Sequence, residues 1–344
     1  MCVIGASQLA ADEPAPLVYF RRTLTEQLRT AEQKQVTVIQ GVDQAAQPRW
    51  LFFTAELKSL LSPPFWGERA AAVSRASNPK FADPLPAILD FHQQLQAAEI
   101  ELWMVPVPAK IAVFPRHFAS STSQVSWRTD ESHVACYELL RARGIQVLDL
   151  TADFGLSAKA TTAEPTFCLT DSHWSGAGVR LAAKTLGEKV QKAGWYHSLP
   201  KIQLHTEPLT VEITGDLAKL LNEQNPVREK LALTRVFQMI DGKSQPVADD
   251  PGSPILLLGD SHTLIFHDPS LYAEGCGLAD HLAERTGIRL DVIGVRGSGA
   301  NAARLNWRRR TDPLAGKKLV IWCFSMREFT ENTDGWRVIP ITKP

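Results

Sequence analysis

Six apolar runs, nearly unbroken and each bounded by turn residues, constrain this chain more than any other feature. They are WLFFTA (50–55), IELWMVPV (100–107), IQVLDL (145–150), PILLLGD (254–260), LDVIGV (290–295) and KLVIWCF (318–324). Runs of this length without polar alternation suit strands buried on both faces, as in a parallel sheet covered by helices. Helical spacing fills several gaps between them. Residues 84–99 place Ile88, Leu89, Phe91, Leu95 and Ala98 on one face, and 130–143, 175–193 and 275–289 also read as helices. The alternation predicts an α/β fold, a doubly wound and mostly parallel sheet flanked by helices. Residues 197–250 break the pattern with LTVEITGDL and LALTRVFQMI, closer to period two. They read as a β-rich insertion. The expected organisation is an N-terminal segment over 1–30 and one domain over 31–344.

Charge removes one class of partner. With 37 basic and 37 acidic residues the formal net charge is +0. A nucleic-acid binder would want a basic field, so none is expected. Cys2, Cys136, Cys168, Cys276 and Cys323 show neither CxxC nor Cys/His ligand spacing, which argues against zinc. Their number is odd, so at least one thiol is unpaired within the chain. No run is long enough to span a bilayer. The start, MCVIGASQLAADEPAP, resembles the end of a signal peptide lacking its basic beginning. An exported protein is one reading; a frayed cytosolic terminus is the other.

Two stretches carry candidate chemistry. ILLLGDSHT (255–263) ends a strand in Gly259-Asp260-Ser261. In open parallel sheets ligands bind beyond the carboxyl ends of strands. There Ser261 could serve as a nucleophile, with a following helix N-terminus helping to hold an oxyanion. The plainer alternative is that Asp260-Ser261 only caps a helix. CLTDSHWSGAGV (168–179) supplies a base. Asp171 and His173 are two apart, so in extended backbone their side chains share a side. Asp171 can then fix the imidazole tautomer while the other nitrogen faces Ser261. Trp174 could pack beneath the ring or stack on a sugar. A solvated turn capping a helix near Ser175 is the alternative, and both can hold.

A third stretch, VRGSGANAAR (295–304), offers glycines for close backbone approach. Ser261, Gly297 and Asn301 are candidates for an oxyanion hole. Arg296, Arg304, Arg327 and Lys110 are candidates for substrate carboxylates, each equally open to a structural role. The run Arg308-Arg309-Arg310 reads as a solvated face. A metal site of His173, His262 and His267 is disfavoured, because no carboxylate partner has ligand spacing. The motifs call for no cofactor and no metal.

Gly-Asp-Ser at a strand end, Gly299-Ala300-Asn301 and an Asp/His pair resemble the blocks of SGNH hydrolases. In most of those the Asp and His follow the serine, spaced Asp-x-x-His. Here they precede it, spaced Asp-x-His. That permuted order resembles the alginate O-acetyltransferase family of AlgJ and AlgX. The family's Asp-Thr-His-Trp stands here as Asp171-Ser172-His173-Trp174. RWLFFTAEL (49–57) resembles its Gly-Trp-Leu-Phe segment, with Arg49 in place of glycine. MVPVPAKIAVFP (104–115), TGDLAKLL (214–221) and LVIWCFSMREFT (319–330) resemble its Pro-Val-Pro-x-Lys, Gly-Asp-Leu and Trp-x-x-x-x-Arg segments. The ordered matches run over about residues 45–330.

The resemblance implies Ser261 as nucleophile, His173 as base and Asp171 as its orienter. It implies transfer of acetyl groups through a serine acyl-enzyme onto hydroxyls of an alginate-like exopolysaccharide, in the periplasm or outside the cell. The partners it implies are a polysaccharide acceptor and a membrane acyltransferase that supplies the acetyl group. AlgX carries a C-terminal carbohydrate-binding module; with the sequence ending at 344, the single-domain AlgJ arrangement is expected. Two rivals remain open: an SGNH-type carbohydrate acetylesterase, with water as acceptor, and a non-catalytic component of exopolysaccharide assembly.

Overall fold

Strand residues sort by parity onto two cores, and this sorting builds the molecule. The computed structural model of the chain describes residues 15–42, 49–119, 128–159 and 164–342. Its strands are β1 (Val38–Gln40), β2 (Leu51–Phe53), β3 (Glu101–Val107), β4 (Gln146–Val147), β5 (His205–Ile213), β6 (Glu229–Ile240), β7 (Lys243–Pro246), β8 (Ile255–Gly259), β9 (Asp291–Gly294) and β10 (Leu319–Ser325). The main sheet has the order β4-β3-β10-β8-β9, and every pairing in it is parallel. This is the expected α/β architecture.

β8 and β10 are buried along their whole length. On one face Trp103, Val105, Ile255, Leu257 and Ile321 pack with Val179, Leu186 and Leu282 of the helices Gly176–Val190 and Leu278–Thr286. On the other, Leu102, Met104, Leu256, Val320 and Trp322 pack with Phe91, Leu140 and Trp307 of the helices Pro84–Ala97, Glu131–Ala142 and Ala302–Arg308. Successive side chains on a strand point to opposite faces, so a strand covered on both sides must be apolar throughout. The helix at Pro84 starts where Asp83 accepts a hydrogen bond from the Leu85 N–H and proline sits at the first position.

Two expected strands differ. Of 50–55 only Leu51–Phe53 is a strand, and it pairs antiparallel with β1, outside the parallel sheet. Of 145–150 only Gln146 and Val147 pair, at the sheet edge beside β3. An apolar run reports burial, and burial against helices satisfies it as well as burial within a sheet does. Within the stretch read as β-rich, β5, β6 and β7 form an antiparallel sheet with the short helix Asp216–Leu220 between the first two. Leu231, Leu233 and Val236 of β6 join the core beside the helix Gly176–Val190.

Arg310 is not part of a solvated face. Its guanidinium grips the carboxylate of buried Asp291, and Lys317 Nζ adds a contact at 2.9 Å. Cys136, Cys168, Cys276 and Cys323 are buried and free. Cys2 and nearly all of the signal-like start lie outside the described residues. Among the described residues no helix is long and apolar enough to cross a membrane.

Candidate active site

β3, β8 and β10 end side by side, and the chemistry-bearing loops sit at those carboxyl ends. Gly259 makes this approach possible. A Cβ there would lie 1.7 Å from the Cys323 carbonyl oxygen, so only glycine fits. The chain then turns through Asp260, whose N–H donates to Cys323 O at 3.2 Å. The Asp260 carboxylate accepts from His262 N at 2.9 Å, His262 Nδ1 at 3.0 Å and Ser325 N at 2.7 Å. These bonds tie the serine turn to the end of β10. Burial works to raise the Asp260 pKa, but His262 and the backbone donor outweigh it and hold the carboxyl at about 2. Ser261 opens a single 3-10 turn, Ser261–Thr263, not a long helix. The expected helix dipole behind the serine is therefore missing, and Asp260 is the cap of that turn.

The Asp171 segment is held from two sides. Lys110 is fully buried, and its Nζ donates to the carbonyls of Leu51 (2.8 Å), Leu169 (3.2 Å) and Asp171 (2.6 Å). Buried Glu229 on β6 accepts from Leu169 N (2.7 Å), Thr170 N (2.8 Å) and Thr170 Oγ1 (2.9 Å). A cation on the carbonyls and an anion on the amides fix a segment that forms no sheet of its own. Beyond it Ser175 caps the next helix, accepting from Gly178 N at 3.4 Å.

These two supports bring His173 and Ser261, 88 residues apart, into contact. His173 Nε2 lies 2.7 Å from Ser261 Oγ, and His173 Nδ1 lies 2.7 Å from Asp171 Oδ1. The same oxygen accepts the His173 N–H at 3.0 Å. Burial disfavours a charged imidazole, yet the Asp171 carboxylate, with Asp216 and Asp260 beyond it, more than offsets this and raises the His173 pKa. Burial alone would raise Asp171; the imidazole and the donors around the carboxylate instead hold it well below the usual range. The His262 ring lies 4.6 Å from that of His173, and burial keeps His262 below its ordinary pKa. Chemically, the line Oγ–H···Nε2, Nδ1–H···Oδ1 can take a proton from the serine and store it on an imidazole beside a carboxylate.

Other expected site residues fall elsewhere. Trp174 is fully buried, edge-on to His262, so it packs beneath the site and cannot stack on a sugar. Lys110 and Arg304 are fully buried too. Arg304 donates to the carbonyls of Ala300 and Arg337 and lies over Phe91 and Trp322, so neither cation is open to a carboxylate. The Asn301 amide is spent on Gly335 O (2.7 Å), Arg337 N (3.0 Å) and Arg304 Nη2 (3.2 Å), which makes it a brace. Gly297, at φ +101°, belongs to a turn whose Gly299 backs directly onto Asp260 N, 2.6 Å from a hypothetical Cβ. Ser298 Oγ pins that turn to buried Glu328 at 2.9 Å. Arg296 is exposed and pairs with Asp268 at 3.1 Å. Arg327 reaches Ser325 Oγ at 3.1 Å and buried Glu56 at 3.5 Å, with its side chain 16% exposed.

Sequence reading missed Asp216, Tyr272 and Glu229 as parts of this site, and did not pair Asp260 with His262. Asp216 accepts from Ser172 N (2.7 Å) and Ser172 Oγ (2.5 Å), and its own N–H donates to Asp171 Oδ2 at 2.8 Å. Only the Gly-Asp-Leu likeness marked it. His267 is not at a metal centre with His173 and His262; it bridges Asp280 and Asp249 through its two ring nitrogens. Among the described residues the metal-compatible cluster is Asp171, His173 and Asp216. Asp171 already has four hydrogen-bond donors on its two oxygens, which fits a hydrogen-bonded acid–base pair better than a ligand set.

A parallel α/β sheet that ends in a serine, linked through a histidine to a buried aspartate, is an arrangement that SGNH-type proteins share with other serine hydrolases. The chain belongs to the family described as "SGNH hydrolase-like domain, acetyltransferase AlgX", whose model matches residues 44–326. The family resemblance drawn from the motifs is thereby borne out. A curated relative, the probable alginate O-acetylase AlgJ of Pseudomonas syringae pv. tomato, is 24% identical over 262 residues. That alignment covers 74% of this chain and 64% of the relative's length. The O-acetyltransferase domain of Pseudomonas putida AlgJ superposes with a TM-score of 0.61 at 20% identity, covering 85% of this chain and 91% of that one. Pseudomonas aeruginosa AlgX does so at 0.60 and 18% identity, covering 91% and 67%. At these identities the structures share the fold.

Proposed function

We propose that this chain is a polysaccharide O-acetyltransferase that carries the acetyl group on Ser261. The observation behind the reading is the unbroken hydrogen-bond line from Ser261 Oγ through His173 to Asp171, at 2.7 Å for each side-chain link. Family membership and the name of the AlgJ relative support alginate, or a similar uronate polymer, as acceptor.

In the first half-reaction His173 Nε2 takes the Ser261 proton as Oγ attacks the acetyl carbonyl carbon of the donor. The carbonyl π pair moves onto oxygen. The tetrahedral oxyanion is held by the backbone N–H groups of Ser261 and Gly297, since the Asn301 amide is engaged elsewhere. The pair returns, the donor's leaving group departs with the proton from His173, and acetyl-Ser261 remains. In the second half a sugar hydroxyl gives its proton to His173 Nε2 and attacks the acetyl carbon, and Ser261 leaves with that proton. Asp171 stays ionised throughout and stabilises the imidazolium. Arg327 and Arg296 remain the candidates for uronate carboxylates. The acetyl donor would come from a membrane acyltransferase partner, and the site of action would be periplasmic or extracellular.

The test is the fate of the acetyl group. With an activated acetyl ester and oligo-uronate, wild-type protein should deliver acetyl to sugar well above free acetate, and Ser261→Ala should do neither. Acetate release at the same rate with or without oligo-uronate would make the protein an esterase. Transfer that persists in Ser261→Ala would remove the serine from the mechanism.

A further inference from the structure

Tyr272 belongs to the stretch after the serine turn, closed where Cys276 N donates to Phe266 O at 2.8 Å. Its hydroxyl lies 2.7 Å from Asp171 Oδ2 and 3.2 Å from Thr214 O. Asp171 is fully buried and ionised, so it offers only acceptors. His173 N and Nδ1 occupy Oδ1, and Asp216 N and Tyr272 Oη occupy Oδ2. Apart from the imidazole itself, Tyr272 is the one side chain among these donors. Its backbone is in the left-handed region at φ 75°, as is that of Phe266 at 60°. Bulky residues avoid that region, so the surrounding structure must over-determine it.

We propose that Tyr272 is a positioning residue for acetyl transfer: its hydroxyl fixes the Asp171 carboxylate, and through it the tautomer and basicity of His173. The proposal rests on the Ser261 reading above and deepens it. One oxygen of the carboxylate must point at His173 Nδ1, and a carboxylate held only by backbone Asp216 N on its far oxygen could rotate away. The phenol also links the loop that presents the serine to the loop that presents the base, so the two move as one unit. Burial, then the Asp171 charge, keeps the phenol far above its ordinary pKa, so it remains a donor throughout the working range. Losing that donor leaves a more strongly accepting carboxylate beside the imidazole, which raises the His173 pKa. The other titratable groups facing Tyr272, Asp171 and His173 are Asp216, 3.9 Å from His173 Nδ1, then Asp260, His262, Cys168 and Lys110, with Lys219 Nζ 5.3 Å from the Tyr272 ring centroid.

The experiment compares wild type with Tyr272→Phe in two ways: the pH profile of acetyl transfer to oligo-uronate, and the NMR titration of His173. Loss of a hydrogen bond to a buried charge predicts a kcat fall of about 10–100-fold with KM nearly unchanged. The acid limb and the His173 titration should both move to higher pH. A purely structural role would lower the unfolding temperature and move neither. Should Tyr272→Phe fail to fold, 3-fluorotyrosine at position 272, nearly isosteric and a stronger donor, should move the His173 titration to lower pH. An unchanged His173 titration in the folded variant overturns the proposal. Full transfer by Ser261→Ala would instead overturn the serine reading, while the His173 titration would still decide whether Tyr272 sets the pair.

Discussion

Asp171 sets the behaviour of the site at the scale of single residues. Burial pushes its carboxyl up, and four donors with an adjacent imidazole push it down further. Asp171→Asn keeps the size and removes the charge. It should leave the fold intact and cut transfer by about 10³–10⁴-fold, because the amide favours the wrong imidazole tautomer. The same variant should lower the His173 pKa, measurable by NMR titration. On the proposed mechanism His173 must be neutral to take a proton, and its pKa is raised. Transfer should therefore fall on the acid side from a midpoint above the ordinary imidazole value, about 6.5. Asp260 makes a separate statement about stability. Its folded pKa of about 2 lies below the ordinary aspartate value of about 3.9. A depressed carboxyl stabilises the fold fully above its unfolded pKa, and that contribution is lost as pH falls through about 2. The linked free energy is about 2 kcal/mol, so Asp260→Asn should flatten the acid side of a stability-versus-pH curve.

At the scale of elements, the decisive piece is the segment 168–174, which has almost no regular structure and is held by Lys110 and Glu229. Lys110→Met strands three buried carbonyls. It should cost roughly 3–5 kcal/mol in denaturant unfolding, as breaking a buried charged partnership does. If instead it costs under about 1 kcal/mol, the clamp is not what holds the segment. Much of this element architecture was legible in the sequence, and the reasons are local. Continuous apolar runs at 255–259 and 319–325, short and bounded by turn residues, suit strands covered on both faces, and DSHW and GDS marked the Asp171, His173 and Ser261 side chains that the fold brings together. For Lys110, Arg304 and Trp174 the sequence left a ligand role and a structural role both open, because a charge or an indole carries no mark of burial. Their partners, the carbonyls of residues 51, 169 and 171 and the rings of Phe91 and Trp322, come together only in the fold. Tyr272 and Glu229 gave no signal for the same reason. The β2 run misled because apolarity does not distinguish a parallel strand from a short antiparallel one.

At the scale of the whole molecule, the two cores and the site are one construction. The same sheet that separates the cores delivers Ser261 from β8, the Ser325 amide from β10 and, just past β3, Lys110 to one end. Trp322 lies on the sheet face away from the helix Gly176–Val190, and its Nε1 donates to Gly299 O at 3.1 Å. Trp322→Ala should therefore cost about 3–5 kcal/mol in unfolding and loosen the turn behind Asp260. The sheet and its loops lie within the matched family region, 44–326. The helix Ala15–Gln33 lies outside it and buries Phe20 and Leu24 against the rest. The central claim is that this assembly makes Ser261 an acetyl carrier, and intact-protein mass spectrometry after brief exposure to p-nitrophenyl acetate tests it most directly. The account predicts one acetyl adduct, mapped to Ser261, absent in Ser261→Ala and discharged faster by oligo-uronate than by water. Turnover of the ester that persists in Ser261→Ala, or wild-type protein that never forms the adduct, would contradict it.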